Sequence, residues 1–307
     1  MLRFILSRLL SMCGVIIGVT VLVFLLLHIV PGDPVEALLG ETAQAADYTQ
    51  LRHALGLDLP LWQQWVNYAS HLLQGDFGTS LYSKQSINST LLQRLPHTFY
   101  LAITSLCIAL VIALPLGTLA ALRQYSIWDH GAMAFSLIGV SIPNFWMGPL
   151  LIMVFSLSLG WLPVSGQEHS LSIVLPALTL GTALAAILAR MVRATLLEVM
   201  HEDYIRTARA KGLGEWVVIS KHALRNAALP LITIIGLQLG TLLGGAVITE
   251  MVFSWPGIGQ LTIQAIQQRD YPTVQACVLI ISISYVFINA LTDIVYAWLD
   301  PRVHYRV

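Results

Sequence analysis

LPHTFYLAITSLCIALVIALPLGTLAAL, residues 95–122, lies between Arg94 and Arg123 and contains no charged side chain. Crossing the hydrocarbon core of a bilayer takes roughly 20 predominantly apolar residues in a helix. In lipid every backbone N–H and C=O must pair within the protein, which selects a helix over open extended chain. Five further uncharged gaps repeat the pattern: Arg8 to Asp33, Asp129 to Glu168, Glu168 to Arg190, Arg225 to Glu250 and Asp270 to Asp293. The shortest, 169–189, still holds 21 residues. Helical spans are therefore expected near 9–30, 98–122, 132–158, 173–192, 228–250 and 274–298. The gap 59–75 is too polar to span, because it holds Gln63, Gln64, Asn67, Ser70, His71 and Gln74.

The rest of the 307-residue chain agrees: 56% of it is hydrophobic and only 10% charged. A soluble domain carries about 25% charged residues. The fold class expected is all-α, a polytopic membrane protein with about six transmembrane helices. Net charge is zero, so nothing global points to nucleic acid. Arg3 and Arg8 resemble the positive start of a secretory signal. The apolar run to Val30 is longer than the usual 7–15 residues or so, and no A-x-A-like site follows, so a retained first helix is expected. Cys13, Cys107 and Cys277 fall within spans without metal-ligand spacing and read as packing residues.

Six spans put both termini on one side of the membrane. That side then holds twelve of the sixteen basic residues, seven of them in the loop between the fourth and fifth spans. The positive-inside rule makes it cytoplasmic. The chain divides into 1–97, a first helix with a long outer segment, and 98–307, a five-helix core. In the outer segment Pro60 suits a helix start. Leu61, Trp62, Trp65, Val66, Ala69, Leu72 and Leu73 then recur at helical spacing, as in an amphipathic helix at the membrane interface. The core helix of a small outer domain is the alternative.

The loop 193–226 reads RATLLEVMHEDYIRTARAKGLGEWVVISKHALRN. Asp203 and Glu202, three and four residues before Arg206, favour a helix. Arg206, Arg209 and Lys211 suit its C-terminal dipole, and Gly212 can end it. Ala208 and Ala210 are small enough for close approach by a partner. The run from Glu202 to Gly212, with His222-Ala223-Leu224-Arg225-Asn226-Ala227 and Leu229-Pro230, resembles the signature loop of ABC importer permeases. The dipeptide, oligopeptide and nickel branch is the most similar. Pro31-Gly32-Asp33-Pro34, Leu55-Gly56-Leu57-Asp58, Gly75-Asp76-Phe77-Gly78, Phe253-Ser254-Trp255-Pro256-Gly257 and Arg269-Asp270-Tyr271-Pro272 extend the resemblance over the whole chain. Where the wider family has Glu-Ala-Ala, this chain has Arg206-Thr207-Ala208, so a salt bridge from that Glu is not transferred.

The resemblance implies a type I importer permease in a bacterial inner (plasma) membrane. Glu202, Asp203, Tyr204, Arg206, Thr207, Ala208, Arg209, Ala210, Lys211 and Gly212 would couple it to an ATPase subunit. Two cytoplasmic ATP-binding subunits carry ATP and Mg, so this chain binds no cofactor. The other partners implied are a second, homologous permease and an extracytoplasmic substrate-binding protein. Di- or oligopeptide is the cargo implied first; nickel, a metal chelate or glutathione is the alternative. The sequence itself contains no G-x-x-x-x-G-K-[ST], H-E-x-x-H or G-x-S-x-G, which leaves an enzyme unsupported. His28, Gln238, Glu250, Asn289 and Asp293 sit at membrane depth and are candidates for pathway or helix-interface residues. Gly236, Gly240, Gly244 and Gly245 form a small-residue stripe suited to packing on a partner permease or lining a pore. A channel or secondary carrier is the rival, but its paired intramembrane charges or inverted repeat are not found.

Overall fold

The computed structural model describes residues 2–29, 48–49, 52–53 and 56–299. Pro31-Gly32-Asp33-Pro34, Leu55, Arg302 and Arg306 lie outside these residues. Helix α1 (Leu2–Ile29) carries an apolar stretch, Leu10–Leu25. Helix α2 (Leu61–Leu73) follows Pro60, whose fixed φ of −57° suits a helix start. Among the described residues none of its side chains is buried. Tyr68 meets Phe24 of α1 at 6.0 Å, while Trp62, Val66 and Leu73 are exposed.

Helix α3 (Ile87–Leu122) is the longest, at 36 residues. It begins well before the expected span and runs through Pro96 and Pro115. The expected third span is instead two helices, α4 (Ile127–Ser141) and α5 (Asn144–Leu151), the latter continuing as a π-helical turn over Ile152–Ser158. The two are bent by 104°. Pro143 is the cause: it drives Ile142 into extended backbone, which ends α4, and caps the start of α5. Helix α6 (Val174–Met200) is entered through a 3-10 turn at Ser170–Ile173. Helix α7 (Asp203–Ala210) is short. A turn at Glu215–Val217 widens into a π-helical turn at Val218–Ala223 and continues as α8 (Leu224–Gly245). Helices α9 (Val247–Val252), α10 (Ile258–Gln267) and α11 (Tyr271–Leu299) complete the described residues.

Four helical stretches are long and apolar enough to cross a membrane, and the bent pair makes a fifth if counted as one span. With α1 they account for the six apolar segments expected. Helix α6 is the centre: 67% of its apolar window is buried, against 28–33% in the other unbroken spans. Small residues permit this. A Cβ on Gly117 of α3 would lie 2.6 Å from the Ala189 carbonyl oxygen, and one on Gly181 of α6 would lie 2.9 Å from that of Ser105. Lipid tails are as apolar as leucine, so helices in a membrane gain chiefly by such close packing.

Candidate functional site

Helix α7 projects at one end of the bundle and is held by its own apolar side. Ile205 and Ala208 are buried in a cluster with Val192 and Leu196 of α6, Ala121 of α3, Val218 and Ala223 leading into α8, and Ala227 and Leu231 of α8. Ala208 is small enough to pack closely on this chain's own helices. The opposite face is exposed and mostly polar: Glu202, Asp203, Tyr204, Arg206, Thr207, Ala210 and Lys211. Arg206 pairs with Asp203 at 3.4 Å. Thr207 Oγ1 donates to the Asp203 carbonyl. Gly212 has φ +77°, a left-handed turn that an L side chain rarely adopts. Across that turn Arg209 Nε donates to Glu215 Oε1 at 2.7 Å, and its Nη2 to Oε2 at 3.4 Å, holding the segment after α7 against it.

A further ion pair is one that charge counting does not reveal. Arg193 Nε and Nη2 donate to Asp129 Oδ1 and Oδ2 at 2.5 and 2.8 Å. The same carboxylate accepts the Tyr125 N–H at 3.0 Å. It thereby fastens the α3–α4 turn to α6. The only sequence signal was an acid at the first turn of a span.

The opposite end of the bundle is built around two buried carboxylates. Glu250 is fully buried and accepts from Thr98 Oγ1 of α3 at 2.8 Å and from the Gln260 N–H of α10 at 3.0 Å. Thr98 Oγ1 in turn accepts the Ile258 N–H at 2.8 Å. A Cβ on Gly257 would lie 2.2 Å from Glu250 Oε1, so only glycine admits the carboxylate here. Trp255 Nε1 donates to the His97 carbonyl at 3.0 Å. The Phe253-Ser254-Trp255-Pro256-Gly257 stretch is thus a turn that Glu250 fastens to α3. Asp270 does the same at the start of α11. It accepts from Ser80 Oγ at 2.5 Å, the Leu81 N–H at 3.0 Å and Thr273 Oγ1 at 2.7 Å. In Gly75-Asp76-Phe77-Gly78, Asp76 Oδ1 accepts the Gly78 N–H and Asn88 Oδ1 accepts the Phe77 N–H.

The remaining candidates are not gathered into one site. Asp293 pairs with Arg8 of α1 at 3.2 Å. Gln238 Oε1 accepts from Thr241 on its own helix at 3.0 Å. Asn289 faces Gly240, where a Cβ would lie 3.7 Å from its Oδ1. His28 lies in α1 with its side chain outside the described residues. The glycine stripe meets this chain's own α11. A Cβ on Gly236 would sit 2.0 Å from Thr292 Oγ1, and one on Gly240 2.9 Å from Tyr285. Gly244 faces open space, and the surroundings of Gly245 lie outside the described residues. Among the described residues no group of His, Cys, Asp or Glu could hold a metal.

A bundle of apolar helices, with one short charged helix packed on its end and carboxylates used for fastening, fits the membrane-embedded subunit of a transporter. Residues 113–305 match the family described as "Binding-protein-dependent transport system inner membrane component", and residues 1–102 match "Binding-prot-dependent transport system membrane comp, N-term". Between the two matches lie residues 103–112, inside α3. The chain belongs to this family: it is an inner-membrane permease subunit of a bacterial ABC importer, not a catalyst. It is 42% identical over 306 residues, covering 100% of both chains, to the glutathione transport system permease protein GsiC of Salmonella typhimurium (strain LT2). The same identity and coverage hold for the Escherichia coli (strain K12) protein of that name. Its fold is similar to an inward-facing MetNI methionine ABC transporter chain, with TM-score 0.57, 26% identity and coverage of 68% of this chain and 96% of that one. A further likeness, to an amino acid ABC transporter, has TM-score 0.52 and 14% identity over 70% and 94% of the two chains.

Proposed function

We propose that this permease carries glutathione, or short peptides of similar size, inward across the membrane. The observation that carries this reading is full-length identity of 42% to permeases named for glutathione transport. Nickel or a metal chelate is the second reading within the same branch. Twelve of sixteen basic residues on one side support cytoplasmic termini and a cytoplasmic α7. An ATPase subunit docks on the exposed face of α7, through Glu202, Asp203, Tyr204, Arg206, Thr207, Ala210 and Lys211. Arg209 and Gly212 hold that face in place, and Ala208 with Ile205 seats it on the permease. Closure of two ATP-binding subunits, which carry ATP and Mg, moves α7, and the bundle alternates between inward and outward access. A second, homologous permease completes the pathway. The turns at 77–86 and 253–260 face the substrate-binding protein. ATP must favour the closed ATPase state for any of this to shift the equilibrium.

Uptake of labelled glutathione, a labelled dipeptide and nickel by cells lacking only this chain tests the substrate. Glutathione uptake should fall and return on complementation. Loss of nickel uptake alone would replace this cargo with the second reading. Uptake that persists beside an ATPase unable to hydrolyse ATP would favour a secondary carrier.

A further inference from the structure

A cavity of about 470 Å³ opens where α3 ends and the chain returns from α7 towards α8. Leu114, Pro115, Leu119 and Leu122 line it from α3; Trp216 and Leu224 line it from the returning segment. The chain does not fill it: Trp216 is 78% exposed and Leu122 42%. The site lies where two spans end, since Ile87–Leu122 stops here and Glu215–Gly244 starts here. Tyr125 and Trp128 are also exposed at this level. Exposed Trp and Tyr collect at the headgroup depth of a bilayer.

Three cations adjoin the lining residues in sequence. Arg123 follows Leu122, Lys221 follows the lining residue Ser220, and Arg225 follows Leu224; all three are exposed. Two acids close to them in sequence are committed elsewhere, Asp129 to Arg193 and Glu215 to Arg209. Among the described residues Arg123, Lys221 and Arg225 enter no ion pair. We propose that this cavity seats an acyl chain of an anionic phospholipid whose headgroup is held by these three cations. An apolar wall alone gives a tail no reason to prefer the cavity to bulk lipid, because the two are equally apolar. Selectivity rests on the three cations, and basic pockets between spans bind anionic headgroups for this reason. A protein partner would have to bring several carboxylates to an apolar groove, whereas the membrane supplies both parts in one molecule.

The test uses the assembled transporter in nanodiscs holding an equal fraction of brominated phosphatidylglycerol or brominated phosphatidylcholine. Bromine quenches nearby tryptophan. The part of the quenching lost in Trp216→Phe reports on this cavity. It should favour the anionic lipid roughly fivefold or more in titrations. Arg123→Gln and Lys221→Gln, each checked for assembly by size exclusion, should bring the two lipids together. The wild-type comparison stands even if a variant fails to assemble. Equal quenching by both lipids in the wild type overturns the proposal. So does the absence of Trp216-dependent quenching, the result expected if a second permease covers the groove.

Discussion

Ala208 and Ala210 stand two residues apart on α7 and face opposite ways, one buried and one exposed. The same bulky replacement should therefore do different harm at each. Ala208→Trp drives an indole among Val192, Leu196 and Val218, where overpacking costs about 1–3 kcal/mol, so the purified permease should unfold at lower temperature. Ala210→Trp should leave that temperature within a degree or two, because exposed substitutions usually shift stability by less than about 0.5 kcal/mol. It should instead reduce the ATPase subunit that co-purifies, and full retention of that subunit would mean the exposed face is not where docking occurs. At the other end, Glu250→Ala leaves the Gln260 N–H and the Thr98 hydroxyl unpaired at a cost of about 1–3 kcal/mol each. Glu250→Gln keeps one acceptor and should lose less. Thermal unfolding followed by tryptophan fluorescence ranks the three proteins; an unchanged Glu250→Ala would remove the fastening role.

The helices were legible as elements because charge is expensive in lipid and its absence is easy to count. How they pack was less so. Gly236 belonged to a recognisable stripe, but a stripe of small residues does not name its partner, and here it is α11 of the same chain. Gly236→Leu should force α8 from α11 around Thr292 and lower both stability and uptake; a thermal-shift assay on the purified chain distinguishes this from a fault in assembly. The Asp129–Arg193 pair escaped the sequence because its members are 64 residues apart. Removing one partner of a buried pair costs about 3–5 kcal/mol. Arg193 retains 22% of its side-chain exposure, which places Asp129→Asn at the low end. A double-mutant cycle with Arg193→Gln should show coupling of about 0.5–3 kcal/mol, and additive effects would dissolve the pair. The cluster at Glu250 was half legible: its burial cost marked it as special, but the choice between a pathway and a fastening needed the positions of Thr98 and Gly257.

Across the whole molecule, the two ends of the bundle differ in chemistry, with cations and α7 at one and carboxylate-fastened turns at the other. The proposed orientation predicts a labelling pattern in intact cells with a membrane-impermeant thiol reagent. In a background without native cysteines, Gly214→Cys, where a Cβ meets nothing within 4 Å, should stay unlabelled until the membrane is opened. Ser83→Cys in the exposed turn before α3 should label at once. The reverse pattern inverts the molecule. The bend between α4 and α5 also bears on how the chain is made. At 15 residues α4 is about 22 Å long, short of a hydrocarbon core of about 30 Å. The nascent chain nevertheless presents 130–158 to the insertion machinery as one uncharged stretch. The kink at Pro143 frees backbone groups that lipid cannot satisfy. Their protein surroundings include α6, on which Gly139 already nests, and α6 is synthesised later. Chains arrested before residue 174 should hold this stretch in a different, exposed arrangement, detected as protease or thiol accessibility that disappears once α6 has emerged.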